Sequence, residues 1–233
     1  MDEKYNAVLF SAGLDSAVLA ADALRQGRVS PIYVSVGFAW EEEERAMASR
    51  LLAAPPFAGR ADALVALSFD MRDVFPAAHW AVRGEPPAFD TPDEDVYIHG
   101  RNVILASKAA VHLSRAASAR KTAPGDPSRL LLGTLAGNPF PDATAEFFSS
   151  MSRALSLGLG TAITIDAPFA TLHKADVIRQ GVELGVPFEL TLSCMQPKAG
   201  MHCGQCSKCR ERRDAFHEAD VSDPTPYRQT PIR

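Results

Sequence analysis

Two short stretches concentrate the residues that could do chemistry. The first is Ser11-Ala12-Gly13-Leu14-Asp15-Ser16, which ends the apolar run Ala7 to Phe10 and leads at once into an Ala- and Leu-rich segment. A turn between a strand and a helix that holds two hydroxyls, a glycine and a carboxylate suits an anion. The helix N-terminus offers unpaired N–H groups and a partial positive charge, and Ser11 and Ser16 can donate. Gly13 lets a phosphate come close to the main chain. The plainer alternative is a connection in which Ser and Asp serve as helix caps. The second stretch holds all four cysteines, Cys194, Cys203, Cys206 and Cys209, spaced C-x8-C-x2-C-x2-C. Four thiolates complete the tetrahedral shell of Zn2+ and leave no position for water, which makes such a site structural. An iron–sulfur cluster or a redox pair would use the same ligands. His202 is adjacent but surplus to a four-sulfur site. A metal here would organise a tail too small to fold alone.

The elements that must position these groups alternate. Residues 7–10 read as a short buried strand, 14–26 as a helix closed by Gly27, and 31–38 as a second strand. Residues 41–53, with four glutamates in the first turn, read as a helix stopped by Pro55-Pro56, and 63–70 as a third strand. Segment 76–95 is rich in Pro, Gly and Asp and reads as an exposed loop. A long helix over 101–119, a linker at 124–128, a strand at 129–134, a helix at 143–159, a strand at 161–169 and a helix at 174–185 follow. The alternation predicts an α/β fold with a doubly wound parallel sheet over residues 1–190. The remaining 191–233, Cys-rich and then Pro-rich, reads as an irregular segment held by metal. In an open sheet of this kind the turn after the first strand lies at the carboxyl edge, where ligands bind.

The bulk numbers exclude some classes. A net charge of −4 over 233 residues is a poor match for a sequence-independent nucleic-acid binder, although Arg120-Lys121 and 208–213 cluster positive charge. Acids at the N-terminus do not suit a secretory leader, and no uninterrupted apolar stretch approaches the roughly 18 residues of a membrane span. The expectation is a soluble, cytoplasmic protein without a membrane partner, in which four clustered cysteines serve a metal rather than disulfides.

No G-x-x-x-x-G-K-[ST] is present and no G-x-G-x-x-G follows the first strand. "SAGLDS" instead resembles S-G-G-x-D-S, the pyrophosphate-binding loop of the PP-loop ATP pyrophosphatases, with Ala12 in place of the first glycine. The region 168–227 resembles the C-terminus of the 7-cyano-7-deazaguanine synthases. Lys174, Asp176, Gly181, Gly185, Thr191, Ser193, the four cysteines, Glu211, Arg212 and Tyr227 fall on that family's motifs, and 99–113 resembles its G-R-N helix. The resemblance implies that ATP adenylates 7-carboxy-7-deazaguanine, that ammonia displaces AMP to give the amide, and that a second adenylation leaves the nitrile. It places Phe10, Ser11, Ala12, Gly13, Leu14, Asp15 and Ser16, with Arg101, Asn102 and Gly133, around ATP. It assigns the chemical step to Asp15 and Lys174 and structural Zn2+ to the four cysteines, with Mg2+ accompanying ATP. It also suggests a homodimer.

Three departures stand against the motif. The family's F-D/N-Y-G-Q-R-H after strand two reads "VGFAWEEEE" at 36–44. After strand four, Gly133, Pro141, Asp142, Glu146 and Phe147 remain, but an Asn, a Cys and an Arg of the pattern do not. The third is Ala12: a left-handed backbone there would cost about 1–2 kcal/mol, so either its dihedrals are ordinary or the loop is shifted. These losses leave room for a paralogue that adenylates a related carboxylate and hands it to another amine, such as a protein acceptor. A tRNA-thiolating PP-loop protein would need a fifth, reactive cysteine, which the chain lacks. The remaining alternative is a catalytically inactive zinc-containing module that binds nucleic acid.

Overall fold

Two strands are buried almost continuously and two alternate in exposure, and that difference matches their place in the sheet. In the computed structural model, which describes residues 6–120 and 128–229, β1 (Asn6–Leu9) and β2 (Val29–Ser35) are buried along almost their whole length. β3 (Val65–Ser68) and β5 (Ile163–Asp166) alternate in exposure, as edge strands do. With β4 (Ser128–Leu131) they form one parallel sheet in the order β3-β2-β1-β4-β5. The expected α/β doubly wound sheet is therefore present, with every strand but β1 shorter than the run that announced it. Lys121 and residues 124–127 of the expected linker lie outside the described residues.

The chain leaves β1 toward β2 and β3, then crosses through a long helix, α4, to resume at β4 on the other side of β1. The order thus reverses between β1 and β4, and the carboxyl ends of those strands frame a crevice. The helices are α1 (Leu14–Ala23), α2 (Glu41–Leu52), a single turn α3 (Trp80–Arg83), α4 (Arg101–Arg120), α5 (Ala145–Leu159), α6 (Lys174–Glu183) and α7 (Ser207–Glu218). α6 lies close on α1 because Gly181 has no side chain; a Cβ there would strike the Phe188 ring and come within 2.7 Å of Val18. Among the described residues no helix is long and apolar enough to cross a membrane.

Two expectations need correction. Segment 76–95 is not simply an exposed loop: Ala81 is fully buried, its carbonyl accepts the Ala39 N–H at 3.0 Å, and Trp80 stacks on Trp40 at 5.6 Å with 13° between the planes. Two aromatic rings outweighed the local Pro and Gly content. The tail is not irregular throughout, because 207–218 forms helix α7. Its mostly charged sequence hides the helix, since the buried face is made of Cys209, Arg212, Ala215 and Phe216 and lacks an aliphatic stripe.

Candidate active site

The turn after β1 is braced from within. Ser11 Oγ accepts the Gly13 N–H at 3.2 Å, and Ser16 Oγ donates to the Gly13 carbonyl at 3.0 Å. The first intrahelical bond of α1 runs from the Ala17 N–H to Gly13 O at 3.0 Å, so the N–H groups of Leu14, Asp15 and Ser16 lie in the turn where a helix offers its donors outward. Ala12 has φ +58° and is fully buried, with its carbonyl accepting the Leu192 N–H at 2.8 Å. The backbone is left-handed even though the residue is Ala, so the loop carries about 1–2 kcal/mol of strain. Gly133, just beyond β4, approaches the same turn: a Cβ there would sit 3.2–3.3 Å from Asp15 and the Ser16 nitrogen.

Two cavities flank this turn. The first, about 170 Å3, occupies the β1–β4 crevice and is lined by Phe10, Ser11, Ser16, Arg101, Asn102 and Gly133 among others. The second, about 230 Å3, has Ser11, Gly13, Leu14, Asp15, Lys174, Lys208 and Glu211 on one side and an apolar wall of Trp40, Trp80, Val96, Ile98 and Phe140 on the other. Ser11 and Arg101 border both. Every residue expected around ATP therefore lines one of the two cavities except Ala12, which shapes the turn. Asn102 is also engaged elsewhere. Its side chain donates to Asp142, whose carboxylate accepts the Asn102 N–H at 3.1 Å at the start of α4.

Charges meet at Lys174. Its ammonium lies 3.3 Å from Asp15 and bonds the carboxylate of Glu211, which also pairs with Lys208 at 2.7 Å; Lys208 reaches Asp93 at 3.5 Å. Burial tends to raise the Glu211 carboxyl, but Lys174 and Lys208 prevail and hold it at about 2. Lys174 follows the same logic with the sign reversed: burial disfavours its charge, and Asp15 and Glu211 more than restore it, so its pKa is raised. Asp15 is raised, because burial outweighs the attraction of Lys174. At neutral pH the chain thus keeps a charged lysine at the loop.

In the lining of the second cavity, burial pushes Glu44 up to about 7 despite the nearby Arg101 guanidinium and the Tyr33 hydroxyl, which donates to its carboxylate at 2.8 Å. The neighbouring glutamates hold main chain. Glu41 accepts the Val36 and Gly37 N–H groups and the Ser35 hydroxyl, and Glu43 accepts those of Ala199 and Gly200 at 2.8 and 2.9 Å. Motif reading missed Glu44, Lys208 and Asp93. The i,i+3 spacing of Lys208 and Glu211, which puts both on one face of a helix, was the available signal.

The four cysteines converge. All are buried, and their sulfurs lie within 4.8 Å of one another, with Cys203 to Cys209 at 3.8 Å and Cys206 to Cys209 at 3.5 Å. A single tetrahedral ion with 2.3 Å bonds would space sulfurs about 3.8 Å apart, so the donor set fits one. Main-chain N–H groups of Gln196 and Cys203 point at Cys194 Sγ, and that of Gln205 at Cys203 Sγ, as suits thiolate. His202 stands apart: burial lowers it to about 3, and its neutral Nε2 accepts the Ser193 N–H at 3.0 Å.

Arg212, only 1% exposed, fastens α7 to the segments before and after it. It donates to Thr225 Oγ1 at 2.6 Å, Thr191 Oγ1 at 2.9 Å, Ser193 Oγ at 3.2 Å and Phe188 O at 2.9 Å. The expected basic patch at 208–213 is therefore dispersed. Lys208 faces the site, Arg212 is internal, Arg210 bonds the Thr91 carbonyl at 3.1 Å, and Arg213 lies 2.9 Å from Asp214.

A parallel sheet reversing at β1, a pyrophosphate-type loop at that reversal and a charged lysine beside it define an ATP-dependent PP-loop enzyme. The comparisons narrow this. The model of the queuosine biosynthesis protein QueC matches residues 6–220. A 7-cyano-7-deazaguanine synthase of Myxococcus xanthus is 33% identical over 96% of this chain and 97% of its own, and one of Kineococcus radiotolerans is 34% identical over 95% and 96%. A third, of Methanopyrus kandleri, is 29% identical over 94% and 97%. The chain belongs to the QueC family and is a divergent member of it.

Proposed function

We propose that the protein uses ATP to adenylate a carboxylate, first of all 7-carboxy-7-deazaguanine, and passes the activated acyl group to ammonia. The observation that carries this reading is the meeting of two cavities at Ser11 and Arg101, beside a turn built for phosphate. ATP lies in the β1–β4 crevice and the planar acid in the aromatic-walled cavity. A carboxylate oxygen attacks the α-phosphorus and pyrophosphate departs into the turn. Ammonia then attacks the acyl carbon, AMP leaves, and a proton is released. Adenylation of the amide oxygen by a second ATP, followed by loss of AMP and a proton, leaves the nitrile.

The chain contributes placement and charge, the usual source of rate in such transfers. Turn N–H groups and Lys174 bind the leaving pyrophosphate, and Asp15 with Glu211 holds the Lys174 ammonium in place. Mg2+ accompanies ATP and offsets its phosphate charge. The cysteine site, by its sulfur spacing, is proposed to hold one Zn2+; an iron–sulfur cube, with a thiolate on each of several irons, would spread the sulfurs further. One zinc per chain by elemental analysis is the expected result, and stoichiometric iron with sulfide would overturn it.

The function is tested by incubating the protein with ATP, 7-carboxy-7-deazaguanine and ammonium, measuring pyrophosphate and weighing the product. Pyrophosphate with the nitrile is expected. The changed segment after β2 and the depleted one after β4 keep a second amine in view, and pyrophosphate with another adduct would assign it. No pyrophosphate with this acid would overturn the proposal.

A further inference from the structure

Three carboxylates line the second cavity, and phosphate chemistry engages two of them. Asp15 and Glu211 both pair with Lys174. Among the described residues Glu44 forms no ion pair, yet it is only 8% exposed, and α2 aims it at the cavity. One oxygen accepts the Tyr33 hydroxyl at 2.8 Å. An ionised carboxylate accepts about four hydrogen bonds, so Glu44 retains capacity on the cavity side. The wall beside it is flat and apolar, formed by the stacked Trp40 and Trp80. A cavity with a flat apolar wall and an acceptor-only group in its lining selects a planar molecule that presents N–H donors at its edge.

We infer that Glu44 sets base specificity by accepting two adjacent N–H donors, a ring N–H and an exocyclic amine, on a planar 2-amino-4-oxo heterocycle held in the second cavity. The inference rests on the proposed adenylation, because the opposite end of that heterocycle must then present its carboxylate to Ser11 and Gly13. An edge without the amine leaves one acceptor position of a buried carboxylate unfilled. An adenine-type edge sets a ring-nitrogen lone pair against the carboxylate. Sites built to hydrogen-bond a group reject analogues lacking it strongly. Tyr33 fixes the carboxylate rotamer, and Arg101, whose Nε is buried without a partner, supplies the nearest balancing charge.

The test is calorimetric binding to the full-length protein with an ATP analogue whose α–β phosphate bridge cannot be cleaved, using 7-carboxy-7-deazaguanine, its analogue lacking the 2-amino group, and 7-carboxy-7-deazaadenine. The wild type is expected to prefer the first over each of the others by about tenfold or more. Glu44→Gln is expected to reduce that preference below about threefold and to leave ATP affinity unchanged. Glu44→Asp keeps the charge but withdraws it by one methylene, and serves if the amide variant does not fold; it is expected to give an intermediate preference. Equal binding of the three compounds by the wild type, no binding of any, or full preference in either variant would overturn the inference. Because the readout is binding, absence of pyrophosphate release would count against the proposed reaction alone.

Discussion

The Leu192 N–H donates to the Ala12 carbonyl at 2.8 Å, tying the turn after β1 to the segment that leads into Cys194. The bond depends on a left-handed Ala12, whose φ of +58° turns its carbonyl outward from the loop. The first prediction follows from that strain. Ala12→Gly should raise stability by about 0.5–1 kcal/mol, because relief of the left-handed penalty exceeds the entropy that glycine adds to the unfolded chain. For a chain of this length that is a rise of about 1–4 °C in melting temperature. Ala12→Val, β-branched at positive φ in a fully buried position, should lower it. Thermal denaturation of the two variants checks both signs.

A second prediction concerns Glu211. Its carboxyl stands near 2 against an ordinary 4.5, so its pairing with Lys174 and Lys208 stabilises the fold above about pH 4.5 and is lost as pH falls toward 2. Glu211→Gln should remove that part of the acid transition and cost on the order of 2 kcal/mol at pH 7, since two partly buried ammonium groups lose a carboxylate. Denaturant titrations at pH 3 and pH 7 should therefore differ less in the variant than in the wild type.

How much of this was legible beforehand depends on which interactions decide each element. Alternating apolar runs announced the parallel sheet, and the Ser-Ala-Gly-Leu-Asp-Ser turn and four cysteines announced their own neighbourhoods, because those signals are local. Helix α7 escaped notice because its largest buried side chain is Arg212, held by Thr191, Ser193 and Thr225 from distant parts of the chain. Trp80 escaped for the same reason: its partner Trp40 lies forty residues earlier. Glu44 read as one of four glutamates in the first turn of a helix, and only the fold shows Tyr33 bonded to it.

The third prediction takes up that glutamate. Burial raises its carboxyl from 4.5 to about 7. A raised acid favours folding when protonated, so its contribution is fully present below about pH 4.5 and declines as pH rises through 7. Glu44→Gln, neutral throughout, should escape the decline and gain up to about 3 kcal/mol relative to the wild type between pH 5 and pH 8. Chemical denaturation across that range measures the slope.

A fourth prediction isolates Lys174. Lys174→Met leaves Asp15 and Glu211 facing each other without their shared cation, and leaves the pyrophosphate without its counter-charge. A loss of about 100- to 1,000-fold in pyrophosphate release is expected, in line with removal of a single group that stabilises developing charge. Lys174→Arg should recover only part of it, since a planar fork does not replace a compact ammonium between two carboxylates. Steady-state kinetics with varied ATP would show the loss chiefly in kcat.

The last prediction links the cysteine cluster to turnover. Cys206 precedes the first residue of α7 and Cys209 lies in its first turn, so whatever the sulfurs bind fixes where that helix begins. Lys208 and Glu211 lie on the same helix and reach Asp93, Lys174 and, through Lys174, Asp15. Removing the metal should therefore do more than loosen a tail: four buried sulfurs would be left without a common partner, and the register of α7 against the phosphate turn would be released. Treatment with a strong chelator should reduce the helical signal in circular dichroism and expose 207–218 to amide exchange, while β1 and β4 stay protected. Pyrophosphate release should fall by at least about 100-fold, as it would on loss of a positioned charge, and return when zinc is restored. Full activity in metal-free protein with α7 unprotected would show that Lys208 and Glu211 act without the helix being held, and would separate the cysteine site from the reaction.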